Sequence, residues 1–201
     1  MEIAVAAAFG LVLGAITGMP LGVVNVAIVD AALAREPRHA LGLGIGGAIA
    51  DAVHALLAFV GVAQVVTARP AWSRAFAIAA AVIIVAYAVL AWRHRRAVPA
   101  KRVAQTSLPR AIASGMLLTL PNPGALAAWV AVAAMTYPAA SHSIAIAIAG
   151  GVGLGSAAWF TLLGRLVARV DPDHRALRFV PRVALVVFVA IAIIGVVRVT
   201  R

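Results

Sequence analysis

The sequence predicts an all-α membrane protein with six transmembrane helices, built as two inverted three-helix repeats in which helices 1 and 4 are broken at proline. Three observations carry this expectation. The first is composition: the 201 residues are 64% hydrophobic and only 11% charged, with a mean hydropathy of +1.06. So few charges cannot coat a soluble globule of this size. The second is segmentation. Six apolar runs can be marked, Ile3–Val29, Ala40–Val66, Ala75–Trp92, Ala111–Tyr137, Ile144–Leu163 and Val183–Val197. Five reach or approach the roughly 20 residues that span a bilayer. The sixth has 15 residues between Arg182 and Arg198, whose side chains must snorkel to the interfaces. The third is recurrence: Pro20 and Pro123, Gly46-Gly47 and Gly150-Gly151, and Arg93 and Arg198 repeat at offsets of 103, 104 and 105.

The formal charge of +11 invites a nucleic-acid reading, and its distribution argues against one. Lys and Arg number two in Ala31–His39, six in Arg93–Arg110 and five in Gly164–Arg182, thirteen on one side of the expected topology. The other side carries four, two in Thr67–Arg74 and two after the last segment. The positive-inside rule places the thirteen in the cytoplasm and both termini outside the cytoplasmic membrane. These cations are topology signals and contacts for lipid headgroups.

The N-terminus, Met1-Glu2-Ile3, lacks the basic region of a signal peptide and reads as an uncleaved first helix. The chain has no cysteine, which excludes disulfides, thiolate metal sites and cysteine nucleophiles. No cofactor or metal is expected.

Segment one carries Gly10, Gly14 and Gly18 at four-residue spacing, a stripe that lets another helix approach closely. Such a stripe serves an internal interface or a homodimer equally well. Pro20 then interrupts the run near its middle, followed by Gly22, Asn25 and Asp30. The connection Ala34–His39 is short and polar, so segments one and two pair antiparallel. Segment two opens on Gly42, Gly44, Gly46 and Gly47 and then places Asp51 and His54 at i, i+3 near mid-depth. A carboxylate there costs at least about 2.5–3.5 kcal/mol, which points to a cavity or a partner.

Segment three is apolar apart from Tyr87, and Trp92 anchors its end before Arg93-His94-Arg95-Arg96. Residues from about 97 to 109 make a cytoplasmic linker between repeat 1 (about 1–96) and repeat 2 (about 110–201) of a single transmembrane domain. In segment four, Asn122 suits an N-cap and Pro123 the first helical position, so a half-helix begins at mid-depth. Segment five repeats the glycine-rich start of segment two at Gly150–Gly155. Each half holds an odd number of spans, so the second is inverted relative to the first.

Two half-helix N-termini in the middle of a membrane favour an anion. Pro20, Gly22, Asn25, Asn122 and Pro123 then receive a carboxylate, and Asp51 with His54 receives a cation or a proton. The constellation fits a small zwitterion.

Gly18–Asn25, the glycine run leading to Asp51–Leu57, Tyr87 and Leu120–Ala125 together resemble the lysine exporter (LysE/RhtB) translocator family over nearly the whole chain. The resemblance implies a cytoplasmic-membrane exporter of amino acids and related metabolites driven by the proton gradient. Two departures bear on the substrate. Pro20-Leu21-Gly22 stands where the family typically has Pro-Gly-Pro, and Gly124 stands where lysine is frequent. Two other readings use the same residues. Asp30, Asp51 and His54 offer ligands for a divalent-cation transporter or channel, although at different depths. An enzyme would need more: Gly153–Ser156 looks like a nucleophile turn, but no histidine follows it within the apolar runs.

Overall fold

The computed structural model describes residues 2–19, 22–61, 107–137 and 140–170, with a scatter of single positions from 71 to 89 and from 186 to 197. Among the described residues all regular structure is helical: α1 Glu2–Gly18, α2 Val23–Leu33, α3 Pro37–Phe59, α4 Leu108–Thr119, α5 Pro123–Thr136 and α6 His142–Ala168. Two of them, α3 and α6, are long and apolar enough to cross a bilayer. The α1–α2 pair, set at 71°, makes a third candidate if it counts as one bent span. Segment four is divided between α4 and α5. Segments three and six, which the count of six requires, lie outside the described residues apart from isolated positions.

Two helix starts refine the sequence reading. Beyond the linker expected over about 97 to 109, α4 begins at Leu108 with Pro109 in its first turn. Proline is tolerated there because the first N–H groups of a helix have no intrahelical partner. His39, the last residue of the polar connection in the sequence, lies in the first turn of α3 with Nδ1 2.9 Å from Glu36 Oε2.

The helices assemble around α3 and α6, which pack against each other, with α1 laid along α6 and α4 along α3. Both outer pairings depend on glycine. A Cβ added at Gly10 or Gly14 would strike the carbonyls of Ile148 and Val152 on α6, and one at Gly151 or Gly155 would strike those of Ala7 and Leu11 on α1. On the other side, a Cβ at Gly46 would strike Ile112 O, and one at Gly115 would strike Leu43 O. Backbones this close gain dispersion contacts that any side chain would forbid. The stripes are thus used inside the chain. Gly150 is the contrast, with nothing within 4 Å of a Cβ placed there.

Apolar side chains also face outward along α1 and α6, among them Ile3, Val12, Ile16, Ile146 and Leu154. Exposed rows of this kind suit lipid rather than water. Inside, two apolar clusters form. One gathers Val24, Ile28, Leu43 and Phe160, and the other gathers Phe59, Trp129, Ile148 and Val152. Along α3 and α6 the polar residues Asp51, His54 and Ser156 fall between the positions that feed the two clusters.

Two features secure the ends of this assembly. Between α2 and α3, Arg35 takes φ = 61°, the left-handed region, and its guanidinium donates to the carbonyls of Ala168 and Val170 at the end of α6. Cations are favoured at a helix C-terminus, where carbonyls lack partners. After α5, Tyr137 meets the ring of Phe9 edge-on at 5.5 Å and that of Phe59 at 6.5 Å.

Candidate functional site

The polar groups of the interior cluster around the two helix interruptions. Helix α1 ends at Gly18 and α2 starts at Val23, with Gly22 in extended backbone at its N-cap position. Pro20 lies outside the described residues. Asn25, in the first turn of α2 and 4% exposed, donates from Nδ2 to Gly18 O at 2.9 Å. Its Oδ1 accepts from Trp159 Nε1 at 3.2 Å. One side chain therefore satisfies an orphan carbonyl of α1, holds α2 against it, and ties both to α6.

The second interruption runs from Thr119 to Pro123. Asn122 Oδ1 accepts from Ala125 N–H at 3.3 Å, the geometry of a helix N-cap, and α5 begins at Pro123. On the other side of the gap, the carbonyl of Leu120 receives a bond from His54 Nε2 at 3.1 Å. A carbonyl only accepts, so Nε2 carries the proton in this bond. His54 is 2% exposed, and its Nδ1 finds no hydrogen-bond partner among the described residues.

Asp51 and His54 share a helix but bond in different directions. Asp51 Oδ2 lies 2.8 Å from Ser156 Oγ on α6, which in turn lies 3.2 Å from Gly14 O on α1. Ser156 is fully buried. A half-buried carboxyl group thus shares one hydroxyl with the helix that ends at the first interruption.

A cavity of about 410 Å³ lies between the α2–α3 connection and the C-terminal half of α6, and none of Asn25, Asp51, His54 and Ser156 lines it. Its lining extends from Arg35 and Arg165 to Phe160. Asp30, Asp51 and His54, the ligands that a cation reading would use, form no group of three among the described residues.

A family model described as LysE type translocator matches residues 15–198, the stretch that holds both interruptions, Asn25, Asp51, His54, Asn122 and Ser156. The chain belongs to that family. Among curated proteins and among solved structures, none matches it. The translocator is a multi-pass membrane protein of a transporter family, not an enzyme family, and such a family serves the passage of amino acids or similar small molecules.

Two residues of the translocator's polar layer escape a reading of the sequence. Ser156 sits in Gly153-Leu154-Gly155-Ser156, which reads as a packing stripe, and Trp159 reads as one more apolar residue of segment five. A signal does exist: Asp51 and Ser156 are 105 residues apart, and so are His54 and Trp159.

Proposed function

We propose that the translocator exports an amino acid or a similar small zwitterion across the cytoplasmic membrane, exchanging it for protons by alternating access around a midplane site. The site comprises the two interruptions, with Pro20, Gly22, Asn25, Asn122 and Pro123 receiving the substrate and Asp51 with His54 carrying the proton. A substrate carboxylate is favoured by the positive N-terminal ends of α2 and α5, and its ammonium by Asp51.

One observation carries most of this reading. The glycine contacts come in pairs related by 105 residues. Gly151 faces Ala7 O and Leu11 N, and Gly46 faces Ile112 O and Met116 N. Likewise Gly10 faces the Ile148 carbonyl and Gly115 the Leu43 carbonyl. A duplicated unit whose copies exchange their interrupted helices makes such contacts, and it supports two inverted repeats with a linker from about 97 to 109. In transporters of this plan, binding occurs where the repeats meet and one repeat rocks against the other. The positions that meet here, Asp51 with Ser156 and His54 with Leu120, belong to opposite halves.

The test is a screen of amino-acid efflux from cells expressing the chain, with Asp51→Asn alongside. Wild-type cells should release at least one amino acid faster at an inward proton gradient. Asp51→Asn should lose that gradient dependence. Normal efflux with unchanged pH dependence in Asp51→Asn would remove the proton-coupling role. Orientation is tested separately: a reporter fused after Arg201 should be found outside, and a cytoplasmic signal would overturn the charge count that places both termini there.

A further inference from the structure

Ser156 has one proton and two acceptors. Its Oγ lies 2.8 Å from Asp51 Oδ2 on α3 and 3.2 Å from Gly14 O on α1, in a position with no solvent exposure. When Asp51 is ionised its oxygens only accept, so the Ser156 hydroxyl donates to Oδ2 and Gly14 O receives nothing from it. When Oδ2 carries a proton, the carboxylic acid donates to Ser156 Oγ and frees the serine proton for Gly14 O. One proton taken up at Asp51 therefore creates one new hydrogen bond between α6 and α1. The count balances: a single proton is added, at Asp51, and the serine proton turns from one acceptor to the other without leaving its oxygen.

From this geometry we infer that Ser156 is the coupling residue of the transport cycle: through its hydroxyl, protonation of Asp51 fastens α1 to α6. The inference rests on the proton-coupled reading above and adds the element that responds. Gly14 is one helical turn before Gly18, whose carbonyl is held by Asn25, so the fastened segment is the one that shapes the first interruption. A bond present in only one protonation state is the differential interaction that a population shift requires. His54 is the other ionisable group at this level among the described residues, and it bonds Leu120 O rather than Ser156. On α1 the sole one is Glu2, on α2 Asp30, on α4 Arg110, and on α6 His142 and Arg165, all near helix ends. Helix α5 has none; α3 adds Arg38 and His39 in its first turn, and His54, which bonds Leu120.

The experiment uses the full chain in proteoliposomes loaded with the amino acid found by the efflux screen, with rates measured between pH 6 and pH 8. Ser156→Ala should fold, as judged by yield and melting in detergent, and should still transport. Its ratio of rates across that range should shrink by roughly two- to tenfold, the worth of one hydrogen bond. Ser156→Cys keeps the volume and offers only a weak donor. It should behave like Ser156→Ala, and it serves as the deciding variant if alanine prevents folding. Asp51→Asn cannot titrate, and with its Nδ2 turned to Ser156 it copies the fastened state; its rates should be flat with pH. If Asp51→Asn is flat while a folded Ser156→Ala or Ser156→Cys keeps the wild-type pH profile, proton coupling stands and this inference falls. If Asp51→Asn itself keeps the wild-type profile, the proton-coupled reading fails first. A folded Ser156→Ala that is inactive at every pH also overturns the inference, since loss of a coupling bond should loosen the link rather than block passage.

Discussion

Gly151→Ala should deplete the protein from the membrane severalfold, while Gly150→Ala, one residue earlier, should leave its level unchanged or slightly raised. The added methyl at 151 has no room, because Ala7 O and Leu11 N of α1 already occupy that place and are rigid backbone. Helix α1 would have to back away along its whole contact with α6. Overpacking of this kind typically costs about 1–3 kcal/mol. At 150 the same methyl meets open space, and alanine is the better helix former by up to about 1 kcal/mol. Gly46→Ala should fail as Gly151→Ala does, since its methyl would meet Ile112 O of α4. Quantitative blotting of membrane fractions and melting in detergent would check all three. Equal levels for the 150 and 151 variants would mean that α1 and α6 are not packed as described.

Asn25→Ala should lower both melting temperature and transport by more than any other single truncation at the first interruption. The change strands Gly18 O and Trp159 Nε1 together, each previously paired by one end of the same amide. An unsatisfied buried donor or acceptor costs about 1–3 kcal/mol, so transport should fall at least tenfold. Trp159→Phe removes only the second bond and keeps most of the ring volume, and should cost less. Adding Trp159→Phe to Asn25→Ala should then cost little more, because the bond they share is already gone. Wild-type melting and transport in Asn25→Ala would show that the amide does not hold α1, α2 and α6 together.

The difference between Gly150 and Gly151 marks where the sequence stops being informative. Composition and run length reveal apolar helices without any geometry, because a bilayer admits few alternatives. Asn122 next to Pro123 announces a helix start in the residues themselves, and Asp51 stands out as a carboxyl group deep in an apolar run. A neighbour's identity, by contrast, is a property of the packed pair. Aligning Gly46-Gly47 on Gly150-Gly151 suggests an offset of 104, whereas the contacts match at 105, with Gly46 equivalent to Gly151. Runs of glycine are degenerate by one residue, and one residue turns a helix by about 100°. At 104, Asp51 aligns with Gly155; at 105 it aligns with Ser156, its actual partner. Trp159 was hidden for a related reason. An indole in an apolar helix looks like bulk until its N–H is seen to meet Asn25.

The connection between α2 and α3 does more than reverse the chain. By holding a non-glycine residue in a left-handed conformation and placing its guanidinium on the carbonyls of Ala168 and Val170, it joins a loop near the start of the chain to a helix end more than a hundred residues later. Any swing of α2 and α3 relative to α6 must drag that helix end along or let the arginine go. The hairpin and that helix end are therefore joined by solvent-exposed hydrogen bonds from a single side chain.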